Sequence, residues 1–369
     1  MEEATITLAA LSTSLLLLFL ASLETIRAAE APQVPAFFVF GDSLVDSGNN
    51  KFLQSLSQAN HSHNGIDFQG SVATGRFCNG LTVTDVVAQE LGLPLAPPYL
   101  DPSTNGTAIL KGVNYASGGA GVLDETGLYF LQRLPLGKQI EYYGNTRSQI
   151  IGLLGQKAAY QMLSKSIFCF VIGSNDYLNN YVAPVTATPL MYTPQQFQVR
   201  LVSTYKKLLT DAYKLDARKF IIAGAGPIGC IPYQLTVNFQ RNSTCAPQPN
   251  ELVLNFNKAL RQTVFDLNGQ FPDAKFVYVN TYDTVTTVIK NPGKYGFANS
   301  DTACCGAGGP YRGLISCIPS VSVCSNRTEH FFWDPYHTSE AANYVLGKGI
   351  LEGDQSVVEP INVRQLARL

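Results

Sequence analysis

Five short runs of apolar and β-branched residues, at 36–40, 112–116, 167–172, 220–223 and 276–279, recur along this chain with helix-patterned segments between them. Four of the five are near-continuously apolar. That is the pattern of strands covered on both faces, and parallel strands of this kind are joined by long crossovers, usually helical. Apolar spacing of three and four predicts helices at 84–91, 149–163, 195–215 and 252–271; in the third, Phe197, Leu201, Tyr205, Leu208, Leu209 and Ala212 fall on one stripe. A β-α-β-α order folds with right-handed crossovers into a mainly parallel sheet with helices on both faces, so the fold class is α/β. No Pro/Gly/Ser linker or change of composition interrupts the alternation, and residues 32–369 are read as a single domain.

The first 31 residues do not belong to that alternation. Residues 6–23, ITLAALSTSLLLLFLASL, are uncharged and apolar, and Ala28-Ala29-Glu30-Ala31 follows closely. This reads as a secretory signal peptide cut after Ala28 or Ala31, although Met1-Glu2-Glu3 is acidic where a basic start is usual. The competing reading is a retained anchor, since the run is almost long enough to span a bilayer, but Ser12, Thr13 and Ser14 interrupt it. With the leader removed, no stable membrane span is expected. Two further features agree with export to the extracellular space or cell wall. Asn-x-Ser/Thr sequons begin at Asn60, Asn105, Asn242 and Asn326, all in polar, loop-like sequence. Eight cysteines remain, of which Cys304, Cys305, Cys317 and Cys324 are expected to form disulfides and Cys230 with Cys245 a local pair. A four-cysteine zinc site is the rival, but the cluster lacks a Cys-x-x-Cys pair. Cys169, inside an apolar run, reads as a buried thiol, and Cys78 is left unassigned. A net charge of −1 with no Lys/Arg stripe excludes a nucleic-acid partner.

Chemistry is narrowed by the histidines, of which there are four. His61 and His63 sit in the polar stretch NHSHNG, read as solvated, and His330 precedes FFW as a surface or packing residue. His337 lies in WDPYHTSEAANYVLG, three residues after Asp334 and just before a helix capped by Thr338 or Ser339. An aspartate and histidine so spaced can face one cleft, the carboxylate orienting the imidazole while its other nitrogen addresses a serine. The first strand runs into FVFGDSLVDSGNN, where Asp42 or Ser43 could cap a helix or Ser43 could stand at the carboxyl end of the strand, where open α/β sheets bind ligands. The second run leads into NYASGGAG, whose Ser117, Gly118, Gly119, Ala120 and Gly121 leave backbone N–H groups approachable, and the third into VIGSNDYLNN, where Asn175 offers an amide. No Gly-x-Ser-x-Gly occurs, so the nucleophile elbow of α/β-hydrolases is absent.

These four blocks, in this order and at these wide separations, resemble a plant-type GDSL esterase/lipase of the SGNH hydrolase superfamily; PPYL, GAGPIGCIP and ACCG add to the likeness. The resemblance implies a three-layer α/β/α sandwich on a five-stranded, mainly parallel sheet of flavodoxin-like order. It further implies Ser43 as nucleophile, Asp334 and His337 as the other triad members, and an oxyanion hole from the backbone of Ser43 and Gly118 with the Asn175 amide, Gly119 being the alternative glycine. The activity implied is hydrolysis of lipid or other acyl esters through an acyl-enzyme, with no metal or organic cofactor. An extracellular acyltransferase of the polyester-synthase type would use the same residues, differing only in whether an alcohol replaces water. A secreted binding protein with a vestigial site would lack a required side chain, yet all five positions carry the required type.

Overall fold

The computed structural model describes residues 32–369 apart from residue 243; the segment 1–31, on which the signal-peptide expectation falls, lies outside the described residues. Strands β1 (Phe37–Gly41), β2 (Ile167–Val171), β3 (Lys219–Ala223) and β4 (Lys275–Val279) lie side by side in chain order and run parallel. The two-residue β5 (Val358–Glu359) closes the far edge antiparallel to β4. Around this sheet stand α1 (Val83–Glu90), α2 (Leu136–Leu154), α3 (Gln156–Lys165), α4 (Pro194–Lys214), α5 (Pro232–Val237), α6 (Pro247–Gln270), α7 (Thr281–Lys290), α8 (Glu340–Glu352) and α9 (Val363–Arg368), with shorter turns between. The expected α/β class and five-stranded, mostly parallel sheet are therefore present.

One expected strand is corrected. Residues 112–116 run beside β1 as an isolated parallel bridge, with Val39 donating to Val113 O at 3.0 Å and Tyr115 donating to Val39 O at 2.8 Å. The neighbour on the outer side is the Pro97-Pro98-Tyr99 stretch, whose prolines have no N–H to extend a ladder. The segment still stands where a flavodoxin-like order needs it, outside β1. A second correction concerns the helix expected at 149–163, which is two helices parted at Gly155 with φ +79°, the first beginning at Leu136.

Alternation along the strands sorts two unlike layers. Phe38, Phe40, Phe168, Phe170, Phe220 and Phe276 point to one face and stack across neighbouring strands, with centroids 5.0 Å apart for Phe38–Phe168, 4.6 Å for Phe40–Phe170 and 4.2 Å for Phe220–Phe276. Helices α2, α3, α4 and α6 cover them. Each such ring contributes roughly 1.5–3 kcal/mol through burial. The opposite face carries Val39, Cys169, Ile221 and Val277 under α1, α8 and α9. Its residues are smaller, which matters at the carboxyl rim.

Disulfides join Cys230 to Cys245, Cys304 to Cys324 and Cys305 to Cys317, while Cys78 and Cys169 are buried free thiols. The nested second and third bridges lie behind the segment leading to Asp334, since Cys304 and Cys305 donate their N–H groups to Phe332 O and Trp333 O. Among the described residues no helix is long and apolar enough to cross a membrane.

Candidate active site

Gly41 ends β1 because nothing larger fits: a Cβ there would lie 2.4 Å from Val45 Cγ2 and 2.6 Å from Val171 O. The chain then turns tightly, with Asp42 Oδ1 accepting from Leu44 N at 3.0 Å and Asp42 O from Val45 N at 3.2 Å. Neither Asp42 nor Ser43 caps a helix; the turn leaves the Ser43 hydroxyl on the rim of the sheet. Asp334 and His337 arrive from the far end of the chain on a turn of their own. Asp334 Oδ1 accepts from the N–H groups of Tyr336 and His337, each at 2.8 Å, and His337 O accepts from Trp333 N. Ser339, not Thr338, caps the following helix α8 through Ala342 N.

These two turns meet. His337 Nδ1 lies 2.8 Å from both carboxylate oxygens of Asp334, and Nε2 lies 2.8 Å from Ser43 Oγ. The carboxylate and imidazole are buried, and Phe77 packs against the ring at a centroid distance of 5.1 Å. An imidazole held in this way presents one nitrogen to a hydroxyl proton while the other is fixed by the carboxylate.

The amide donors around Ser43 are not equivalent. Gly118 N–H is already given to Asp46 Oδ2 at 3.1 Å. Gly119, with φ +79°, borders the cleft, and its N–H has no partner among the described residues. Asn175 donates one side-chain hydrogen to Ala120 O at 2.9 Å while its oxygen accepts from Asn179 Nδ2 at 2.6 Å, so one hydrogen is left for the cleft it lines. Asp176 next to it accepts from Val122 N, Leu123 N and Thr126 Oγ1, locking the second and third blocks together.

The second half of the first block, without a role in sequence, is what holds the glycine loop. Asp46 Oδ1 accepts from Gly48 N and Asn49 N, both at 2.7 Å, while its other oxygen takes Gly118. Asn49 Nδ2 donates to Asn114 O and Ala116 O; Asn50 Nδ2 donates to Gly118 O and its oxygen accepts from Ser117 Oγ. Burial raises the Asp46 carboxyl to about 6, against the pull of its N–H donors. Burial likewise pushes Asp42 up to about 7, and its Oδ2 has no partner. The signal available in sequence was the density of Asp and Asn beside a glycine, which serves turns as readily as it serves inter-loop bonds.

The remaining histidines separate. His61 is not solvated and remote: it is half-buried and borders the same cleft, with Nε2 3.2 Å from Gln58 O. His330 is a half-buried packing residue, its Nδ1 2.9 Å from Asn326 O. Cys304, Cys324 and His330 are the one group among the described residues with metal-ligand types close together, and its two sulfurs are spent in a disulfide. Asn60, Asn105, Asn242 and Asn326 are all exposed, as attached glycans would require.

A parallel α/β sheet with a serine–imidazole pair at its carboxyl rim, and amide donors beside it, is the arrangement of an SGNH-class hydrolase. The family model for GDSL-like lipase/acylhydrolase matches residues 37–350, and the chain belongs to that family. It is 47% identical to the Arabidopsis thaliana protein GDSL esterase/lipase At2g23540, covering 90% of this chain and 87% of that one. Two others from the same plant, GDSL esterase/lipases At4g16230 and At3g50400, are 44% and 45% identical over 91% and 90% of this chain, and 92% and 91% of their own lengths. The chain is accordingly a carboxylic ester hydrolase.

Proposed function

We propose that this ester hydrolase is exported and works by acyl transfer to Ser43. His337 Nε2 takes the hydroxyl proton as Oγ attacks the ester carbonyl, and Asp334 stabilises the imidazolium that results. The oxyanion is met by the N–H groups of Ser43 and Gly119 and by the free hydrogen of Asn175. Gly119 replaces Gly118 in this role, because the Gly118 donor is occupied by Asp46. His337 then protonates the leaving alkoxide, and a water activated by the same nitrogen releases the acid and restores the serine. The observation that carries the reading is the unbroken contact chain Asp334–His337–Ser43, each link 2.8 Å. Three disulfides and four exposed sequons support export, since both modifications belong to the secretory route.

The test uses the purified glycosylated chain. Wild type should hydrolyse p-nitrophenyl butyrate and be labelled by a fluorophosphonate at Ser43, and Ser43→Ala should lose both by a factor of about a thousand or more. Ser43→Ala protein that retained turnover within tenfold of wild type would remove the mechanism.

A further inference from the structure

One rung of the parallel ladder, the last before the catalytic rim, is built from small side chains throughout: Gly41 pairs with Val171, Val171 with Ala223, and Ala223 with Val279. The rung two residues earlier on the same face, Val39, Cys169, Ile221 and Val277, is fully packed. At the last rung the helices are not drawn down onto the sheet. Val171 remains part-accessible although it lies in a central strand, and so do Leu346 and Ile350 on the α8 wall facing it. These residues, with Leu44 beside the nucleophile, line one continuous cavity of about 1020 Å³ that also contains Ser43 and His337. It runs as far as Val357, which precedes β5 and whose Cγ1 lies beside Gly349 of α8. The cavity therefore follows the rung from β1 to β4, three strand spacings or about 14 Å, the reach of roughly a dozen methylene carbons.

Charge narrows what fits. Of the described residues lining the cavity, only Asp42, His61, Asp334 and His337 can carry a charge near neutral pH, and there is no Lys or Arg among them. A phosphate or sulfate group would enter without a counterion, at a large desolvation cost. We infer that this rung is the floor of a subsite for one long, unbranched, uncharged aliphatic chain of the ester, which selects neutral long-chain esters over phospholipids. The inference rests on the proposed chemistry at Ser43 and adds the substrate class. The chain can belong to the acyl or to the alcohol half, and the two are separated below.

Two ester series are run on wild type, Ala223→Phe, Leu346→Trp and Ile350→Trp: p-nitrophenyl butyrate, decanoate and palmitate, and butyl, decyl and hexadecyl acetate. Ala223 lies two spacings from Gly41 and Ile350 at the far end, so the substitutions should act as stops at different depths. Ala223→Phe and Leu346→Trp should lose the ten- and sixteen-carbon members of one series at least tenfold; Ile350→Trp should lose only the longest; the four-carbon ester should be unchanged. Loss in the first series assigns the subsite to the acyl chain, and loss in the second to the alcohol. Wild-type chain-length profiles in folded variants would overturn the inference while leaving the serine mechanism intact. So would hydrolysis of dipalmitoyl phosphatidylcholine as fast as that of the neutral long-chain ester. Absence of fluorophosphonate labelling and of all ester turnover would overturn both. Should the substitutions prevent folding, wild type decides: hexadecyl trifluoromethyl ketone should inhibit at least a hundredfold more strongly than the butyl compound, and equal inhibition would refute the subsite.

Discussion

Replacing Asp46 by asparagine changes one oxygen into an amide nitrogen at nearly constant volume, and it does so 3.1 Å from the Gly118 N–H. Asp46 serves three backbone donors with two oxygens; an asparagine has one oxygen to offer them. If that oxygen stays with Gly48 and Asn49, an NH₂ group faces the Gly118 N–H. The bond lost is to a charged acceptor, worth about 1.5–3 kcal/mol, and a buried donor left without a partner costs about 1–3 kcal/mol more. The least costly relaxation is a shift of residues 117–119, which carries the Gly119 N–H away from the carbonyl oxygen it should meet. Removing one oxyanion donor costs about 3–4 kcal/mol, so a partial misplacement of about 2–4 kcal/mol gives a fall in kcat of roughly 30- to 1000-fold. KM should move little, because the contact strengthens only as negative charge develops. Fluorophosphonate titration of active sites separates this from simple unfolding: the fraction of reactive molecules should stay high while turnover per reactive site drops. Affinity for a trifluoromethyl ketone, which presents an oxyanion on binding, should weaken in parallel. A folded Asp46→Asn enzyme with kcat within about threefold of wild type would refute the positional role.

Asn175→Ala should lower kcat by about a hundredfold or more in the same assay without abolishing labelling of Ser43, whereas an unchanged rate would remove the amide from the oxyanion hole. Arg76 and Asp85 form a buried two-bond pair at 2.7 and 2.9 Å, and Arg76 also donates to Ser47 O within the first block. Arg76→Met should therefore cost about 3–5 kcal/mol of stability by leaving Asp85 charged and unpaired, and Arg76→Met combined with Asp85→Leu should recover much of it in a denaturant melt. Burial raises Asp42 from 3.8 to about 7, so the folded protein keeps a proton that the unfolded chain has lost between those values. Its stabilising contribution is complete below about pH 4 and disappears as pH rises through about 7; Asp42→Asn should flatten the fall in Tm between about pH 5 and pH 8, and parallel profiles would contradict the assignment.

The strands that were legible in sequence are those whose residues are buried on both sides, because continuous apolar runs such as Ile167–Val171 have no other use in a chain of this length. The strand expected at 112–116 carries the right residue types, but ladder length is decided by its outer neighbour, and a Pro-Pro pair there is not visible from the segment itself. Val358–Glu359 is too short to leave a pattern. Chemistry was legible where a side chain is rare: His337 stood out among four histidines, and Asp334 with it. It was not legible where the deciding quantity is which of two adjacent amides is already engaged. Gly118 and Gly119 differ only through a carboxylate 72 residues earlier in the chain. The cavity floor was hidden for a related reason: Gly41, Val171, Ala223 and Val279 become one row only when the register is known.

The nested bridges Cys304–Cys324 and Cys305–Cys317 stand directly behind the turn that delivers Asp334 and His337, bonded to it through Phe332 and Trp333. A chain fresh from the ribosome, its sulfurs still reduced, has its nucleophile on a strand that needs no sulfur but its acid and base on a turn without backing. Catalytic competence is then acquired late, when an oxidising compartment closes the two loops. The timing of birth and the timing of activity are separated by the same covalent step, which shields the cell's own esters while the enzyme is being made.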